Sequence, residues 1–227
     1  MNERQTSPRK PHLVVIAGPN GSGKTTVMRR MVDLSWFPGA CVIDPDAVAA
    51  ALPGGFRETG NAARAALAAG RHRYHALAAR QDILWETVFA ARGDAMRFVR
   101  AAKSAGYFAH LLFIATRDPA INAYRVARRY MEGGHPIPVD VIVDRYYRSM
   151  GNLSRSLGDF DLAHILDNSV DDRAPALQCV MDNGGPRLWL AHPAEHWVCM
   201  AADTQAITPD RLRSDTLVLP PYLSAGS

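Results

Sequence analysis

The run Gly18-Pro19-Asn20-Gly21-Ser22-Gly23-Lys24-Thr25, extended by Thr26, fits the pattern G-x-x-x-x-G-K-[ST] and stands directly behind the apolar stretch Leu13–Ala17. In such a loop successive backbone N–H groups cradle phosphate oxygens, and the helix that follows adds its positive N-terminal end. Lys24 would then reach the β- and γ-phosphates, and the Thr25 hydroxyl would ligate Mg²⁺. The implied ligand is a nucleoside triphosphate, ATP or GTP, bound with Mg²⁺.

Phosphoryl chemistry also needs carboxylates, and two groups are in the right places. Ligands of open parallel sheets bind at the carboxyl ends of the strands. Asp44 and Asp46 follow a short apolar run, Cys41–Ile43, and Glu86 and Thr87 follow another, Asp82–Trp85. A carboxylate there can ligate Mg²⁺ or take the proton of an attacking hydroxyl. Asp44 and Asp46 share a side if the segment is extended and diverge if Pro45 makes a turn. The alternative is that one of them caps the next helix, and that Glu86 and Thr87 only end a strand beside a cap.

A cationic group comes later. Arg125 and Arg129 are four apart on one helix; Arg145, Arg148 and Asn152 form a stripe on the next. Between them lies Gly133-Gly134-His135-Pro136-Ile137-Pro138. This is a basic, glycine-hinged helical hairpin with the look of a lid over about residues 125–150. Such arginines neutralise charge on a transferred phosphoryl group, and a closing lid excludes water. The alternative is a solvated arginine face. His135 reads either as a substrate contact or as a helix C-terminal cap favoured by the dipole. Tyr146, Tyr147, Trp85 and Phe89 read as core or pocket wall. His72 and His75 have too few neighbouring ligands for a metal site.

The elements that must position these groups alternate. Strands are expected at Leu13–Ala17, Cys41–Ile43, Asp82–Trp85, Tyr107–Ala115 and Leu162–Leu166. Helices are expected at about 24–32, 62–80, 95–104, 118–132 and 139–157. The long apolar run at Tyr107 suits a strand buried on both faces, and Asp118-Pro119 is an N-cap with proline at the first helical position. The order predicts an α/β fold, a parallel sheet with helices on both faces. Beyond Asn168 the pattern weakens, and Arg187–Ala191 and His196–Met200 read as a short hairpin or edge strands. One domain is expected over residues 12–205, with a loose arm at 1–11 and an irregular tail at 206–227.

The 227 residues are 48% apolar and 21% charged, a balance that belongs to a soluble globular protein. No apolar stretch approaches a membrane span, and nothing at the start resembles a signal peptide. Three widely spaced cysteines without a CxxC pair argue against a disulfide scaffold or a zinc site and for a cytoplasmic setting. The formal charge of +4 is mild and not gathered into a lysine tract, which argues against nucleic acid and suits an anionic small substrate.

Taken in order, Ala17–Thr26, Ile43-Asp44-Pro45-Asp46, Glu86-Thr87, Arg125–Arg129, Gly133–Pro138, Arg145–Arg148 with Asn152-Leu153, and Asp167-Asn168-Ser169 resemble the zeta-toxin family of P-loop kinases, in its stand-alone bacterial branch. The resemblance spans about residues 12–170. It implies a P-loop NTPase of the nucleotide-kinase type, a three-layer sandwich with a mostly parallel central sheet and a helical lid. It also implies an ATP- or GTP-dependent kinase whose best-known relatives phosphorylate a sugar hydroxyl of UDP-N-acetylglucosamine, with an antitoxin protein as a partner. By the same resemblance Asp46 is the catalytic base, Arg129 and Arg145 clamp the phosphoryl group, and Glu86 and Thr87 line the acceptor side. Two departures fall on that side. The usual Asn-Ala-Asp is Asp44-Pro45-Asp46 here, and the usual Glu-Thr-Thr-Leu-Ser is Glu86-Thr87-Val88-Phe89-Ala90. Other readings of the same residues are a phosphotransferase for an antibiotic or metabolite hydroxyl, a nucleotide-dependent switch acting through a protein, and a polynucleotide kinase.

Overall fold

Five apolar residues in a row, Leu13 to Ala17, bury every side chain of β1 (His12–Ala17) beyond its first residue. Such a strand needs cover on both faces, and it has it. Leu13, Val15 and Ala17 pack into one apolar cluster, while Val14 and Ile16 pack into another. The computed structural model describes residues 9–182, 187–191 and 194–203. The tail expected at 206–227 and most of the arm expected at 1–11 lie outside them. Residues 9–11 are described, and Arg9 pairs with Asp82 at 2.5 Å.

The elements follow in order as α1 (Lys24–Asp33), β2 (Cys41–Ile43), α2 (Pro45–Ala51), α3 (Asn61–Ala78), β3 (Ile83–Thr87), α4 (Arg92–Ser104), β4 (Phe108–Ala115), α5 (Pro119–Met131), α6 (Val139–Ser156), β5 (Leu162–Asp167), β6 (Ala176–Asp182), β7 (Arg187–Leu190) and α7 (His196–Asp203). The strands form one seven-stranded sheet in the order β2-β3-β1-β4-β5-β6-β7. The first five are parallel; β6 and β7 add on antiparallel. Val27, Met28 and Met31 of α1 cover one face, and residues of α3, α4, α6 and α7 cover the other. This is a three-layer α/β sandwich with a mostly parallel central sheet. The topology carries the ends of β1, β2, β3 and β4 to one rim, with the loop after β1 at its centre. No helix of the described residues is long and apolar enough to cross a membrane.

Three elements differ from expectation. α2 opens immediately after β2, because Asp44 caps it and Pro45 stands at its first position. β6 extends the sheet between β5 and β7, where no strand was expected. His196–Met200 is helix rather than strand, since a short apolar run without flanking breakers suits either state.

One buried pair bears on stability. His110 of β4 and His164 of β5 lie on the α1 side of the sheet and share a hydrogen bond, Nε2 to Nδ1, of 2.7 Å. One imidazole must donate and the other accept, which two neutral rings of opposite tautomer satisfy. Burial pushes both pKa values down, that of His164 to about 4. An unfolded histidine titrates near 6.5, so the pair's full contribution is present above that value and is lost as pH falls toward the folded value. For His164 alone the loss at pH 5 is about 2 kcal/mol, or roughly 4–8 °C of Tm. Thermal melts at pH 7 and pH 5 should show that drop, and the double variant His110→Leu/His164→Leu should flatten it. Equal midpoints at the two pH values in the native chain would overturn the assignment.

Candidate active site

The loop 18–23 leaves β1 against the end of β4. Gly18 has φ +145, and a β-carbon there would lie 1.9 Å from the Ile114 carbonyl oxygen. Gly21 faces α5, where a β-carbon would lie 2.7 Å from the Asn122 carbonyl oxygen. Only glycine allows either approach. α1 then begins at Lys24 with no acidic residue in its first turn, leaving its positive end for an anion.

Lys24 is 5% exposed, and its ammonium donates to the Pro19 carbonyl at 2.8 Å. Burial pushes its pKa below the ordinary value. Glu86, Asp46 and Asp44 act in the opposite sense, and Arg129 adds to the depression. The Thr25 hydroxyl donates to Glu86 Oε1 at 3.0 Å. Glu86 is 7% exposed, and its second oxygen, Oε2, is buried without a hydrogen-bond partner. Burial raises its pKa, Asp44 and Asp46 raise it further, and Lys24 and Thr25 offset this only in part. A plain ion pair would shift both groups the other way. Burial therefore dominates, and the site is electrostatically incomplete by itself. Phosphate oxygens at Lys24 and a hard cation beside Glu86 would complete it.

Mg²⁺ fits that description. Thr25 Oγ1 and Glu86 Oε2 are hard oxygen donors, and Mg²⁺ is ordinarily held by one or two protein oxygens together with waters and substrate phosphates. Among the described residues no group of three or more His, Cys, Asp or Glu could cage a metal.

The acids diverge in role. Asp44 is the N-cap of α2; its Oδ1 accepts the Asp46 and Ala47 N–H groups at 2.9 and 3.2 Å. Its side chain is thus committed to the backbone, the alternative weighed for it. Asp46, in the first turn of α2, is exposed and acts electrostatically on Lys24, Glu86 and His135. The Thr87 hydroxyl accepts the Phe89 N–H at 3.2 Å, bracing a residue with φ +62.

The arginines diverge as well. Arg125 turns away to Asp171 and to the Asn168 carbonyl at 2.8 Å. Arg129, on the same face, acts on Lys24. Arg145 donates to Asn20 Oδ1 at 3.3 Å, directly over the loop. Arg148 does not join this group by any contact; it is 60% exposed and pairs with Asp144 at 3.3 Å. His135 neither caps α5 nor points into solvent. Gly133 and Gly134 end that helix by donating to Tyr130 and Arg129 carbonyls at 3.0 and 2.9 Å. The His135 ring stacks on Phe56 at 3.8 Å, forming part of a cleft of about 510 Å³ lined also by Arg57 and Tyr130.

Several residues without an assigned role hold the site in place. Asn168 Nδ2 donates to the Ser22 carbonyl at 2.8 Å, and Asn122 Nδ2 to the Asn20 carbonyl at 2.5 Å. Ser149 and Asn152 of α6 bind the Val88 and Phe89 carbonyls, each at 2.8 Å. A polar residue on the core face of an amphipathic helix, as Asn122 is, was the available signal; Phe56 offered none.

The zeta toxin family profile matches residues 1–174. No curated protein sequence matches the chain. Among solved structures, a chain of the PezAT toxin-antitoxin system of Streptococcus pneumoniae superposes with a TM-score of 0.56 at 18% identity, covering 72% of this chain and 70% of that one. A chain of the AvrRxo1-ORF1:ORF2 complex with ATP superposes at 0.60 with 14% identity, covering 78% and 60%. The same complex with sulphate ions gives 0.66 at 15% identity, covering 89% and 66%. This chain thus spans less than two thirds of the AvrRxo1 chain, and at these identities the likeness is one of fold.

Proposed function

This chain belongs to the zeta toxin family, and from that premise we propose that it transfers the γ-phosphoryl group of ATP or GTP to a hydroxyl of a small nucleotide-type acceptor, with UDP-N-acetylglucosamine as the first candidate. Family and fold make it a nucleotide-dependent P-loop phosphotransferase. The observation that supports the reading is the buried Lys24 of the loop together with Glu86, which Thr25 bonds at 3.0 Å and whose second oxygen is left without a partner.

In this reading the loop amides and Lys24 hold the β- and γ-phosphates. Thr25 and Glu86 would hold Mg²⁺, which neutralises phosphate charge when bound. The acceptor oxygen attacks the γ-phosphorus as its proton passes to the Asp46 carboxylate. The bond to the β–γ bridging oxygen breaks, and the nucleoside diphosphate leaves with that electron pair. Arg129 and Arg145 stabilise the charge spread over the moving group. The cleft beside Phe56 and His135 would receive the acceptor. An antitoxin partner is proposed on the ground that the pneumococcal structure is of a toxin-antitoxin system.

Incubation with Mg-ATP and a panel of hydroxyl acceptors led by UDP-N-acetylglucosamine, read by mass spectrometry, tests the proposal. An acceptor heavier by one phosphate names the substrate class. Loss of ATP with every acceptor unchanged would replace the kinase reading with that of a nucleotide-dependent switch.

A further inference from the structure

Asn20 is 6% exposed and bonded on two sides by two different helices. Its backbone carbonyl accepts Asn122 Nδ2 of α5 at 2.5 Å, and its side-chain Oδ1 accepts Arg145 Nη1 of α6 at 3.3 Å. Asn122, wholly buried, accepts the hydroxyl of Thr116, which follows β4. The Thr116 carbonyl accepts the Tyr146 hydroxyl at 2.6 Å, and Tyr146 is the neighbour of Arg145. A closed ring therefore joins the phosphate loop, the end of β4, and both lid helices. Asn20, Asn122, Thr116 and Tyr146 are all removed from water, so breaking any link strands a polar group at a real cost.

We propose that Asn20 is a positioning residue: its side-chain amide holds the Arg145 guanidinium over the phosphate loop before nucleotide arrives. The backbone bond to Asn122 fixes the loop, and the side-chain bond fixes the arginine, so the two tasks are separable within one residue. The acceptor on Arg145 is a neutral amide oxygen at the long end of the hydrogen-bond range. An incoming γ-phosphate carries full negative charge and can pair with both prongs of the guanidinium, so Arg145 exchanges one long bond to a neutral oxygen for a bidentate ion pair. A carboxylate at position 20 would compete with the phosphate instead. The ring ties α5 and α6 to the phosphate loop and to each other. Ordering the arginine in advance removes that cost from the reaction step.

The catalytic consequence rests on the phosphotransferase reading; the position of the arginine does not, and the experiment separates them. Asn20→Ala keeps the carbonyl that Asn122 needs and deletes only the hold on Arg145. In nucleotide-free protein, phenylglyoxal labelling followed by peptide mapping should modify Arg145 at least about threefold faster in Asn20→Ala than in the native chain; an unchanged rate overturns the proposal. With Mg-ATP, Asn20→Ala should lower kcat about tenfold and leave KM for the nucleotide within about threefold. In an Arg145→Ala background the same substitution should cost nothing further. An equal loss in both backgrounds would mean that Asn20 acts on the phosphates directly and not through Arg145. Asn20→Asp should label more slowly than the native chain and also turn over more slowly, because it holds the arginine too well.

Discussion

Asp46→Asn is expected to lower phosphoryl transfer about 10³-fold while nucleotide affinity stays within about threefold. Asparagine keeps the size of the side chain and cannot accept the acceptor's proton. The backbone will not move, because Asp44, not Asp46, caps α2, and the Asp46 N–H is held through its main chain. The Asp46 side chain is exposed, so no packed contact is lost. What disappears is one negative charge facing Lys24 and Glu86. Glu86 should then ionise more readily, so the effect on Mg-nucleotide binding is small or slightly favourable. Single-turnover transfer read by mass spectrometry, beside a fluorescent-nucleotide titration, separates the two quantities. Transfer within tenfold of the native rate would remove Asp46 from the role of base.

Lys24→Ala should be broader in effect, reducing kcat/KM at least about 10²-fold and weakening nucleotide binding as well. In the nucleotide-free protein Lys24 is a buried cation whose ammonium satisfies the Pro19 carbonyl and faces three carboxylates. Its removal leaves Glu86 buried beside Asp44 and Asp46 without its main counter-charge, so Glu86 should take up a proton more readily still. A protonated Glu86 is a poor partner for Mg²⁺. The two losses therefore reinforce each other, and excess Mg²⁺ should not restore turnover. Binding and turnover near native values in this variant would refute the assignment of the loop.

The legible parts of this molecule are those where a local rule and the fold agree. Leu13–Ala17 is apolar throughout, and Tyr107–Ala115 is apolar but for His110, because their strands are covered on both faces, and Asp118-Pro119 marks a helix start that the structure shows at Pro119. The glycines of the phosphate loop were readable because each close approach there forbids a side chain. The site residues were less so, since the same side chain can serve a ligand or the backbone. Asp44 and Thr87 proved to bond main-chain N–H groups, and Arg125 and Arg129, on one helical face, engage different partners. Helical spacing says which residues share a face but not what stands opposite. Phe56 meets His135 from seventy-odd residues away, with nothing in its neighbourhood to announce it. β6 and α7 were missed for a related reason. Ala176–Asp182 mixes polar and apolar residues on a half-covered strand, and α7 is too short for its period to declare itself.

The register of the first strand bears on how the chain is made. Leu13 pairs with Ile83 and His12 with Phe108, while β2 pairs with β3. At a ribosomal pace of about 5–20 residues per second, the ~70 residues between Leu13 and Ile83 take roughly 4–14 s to emerge. Until then neither β1 nor β2 has a neighbour in the sheet, and five consecutive apolar side chains lie bare on the nascent chain. The phosphate loop cannot take its shape in that interval, because the Ile114 carbonyl that shapes it and the Asn122 and Asn168 amides that brace it are all made later. The newborn chain is therefore catalytically silent until its central strands close, and the exposed strand is a target for holding chaperones in the meantime.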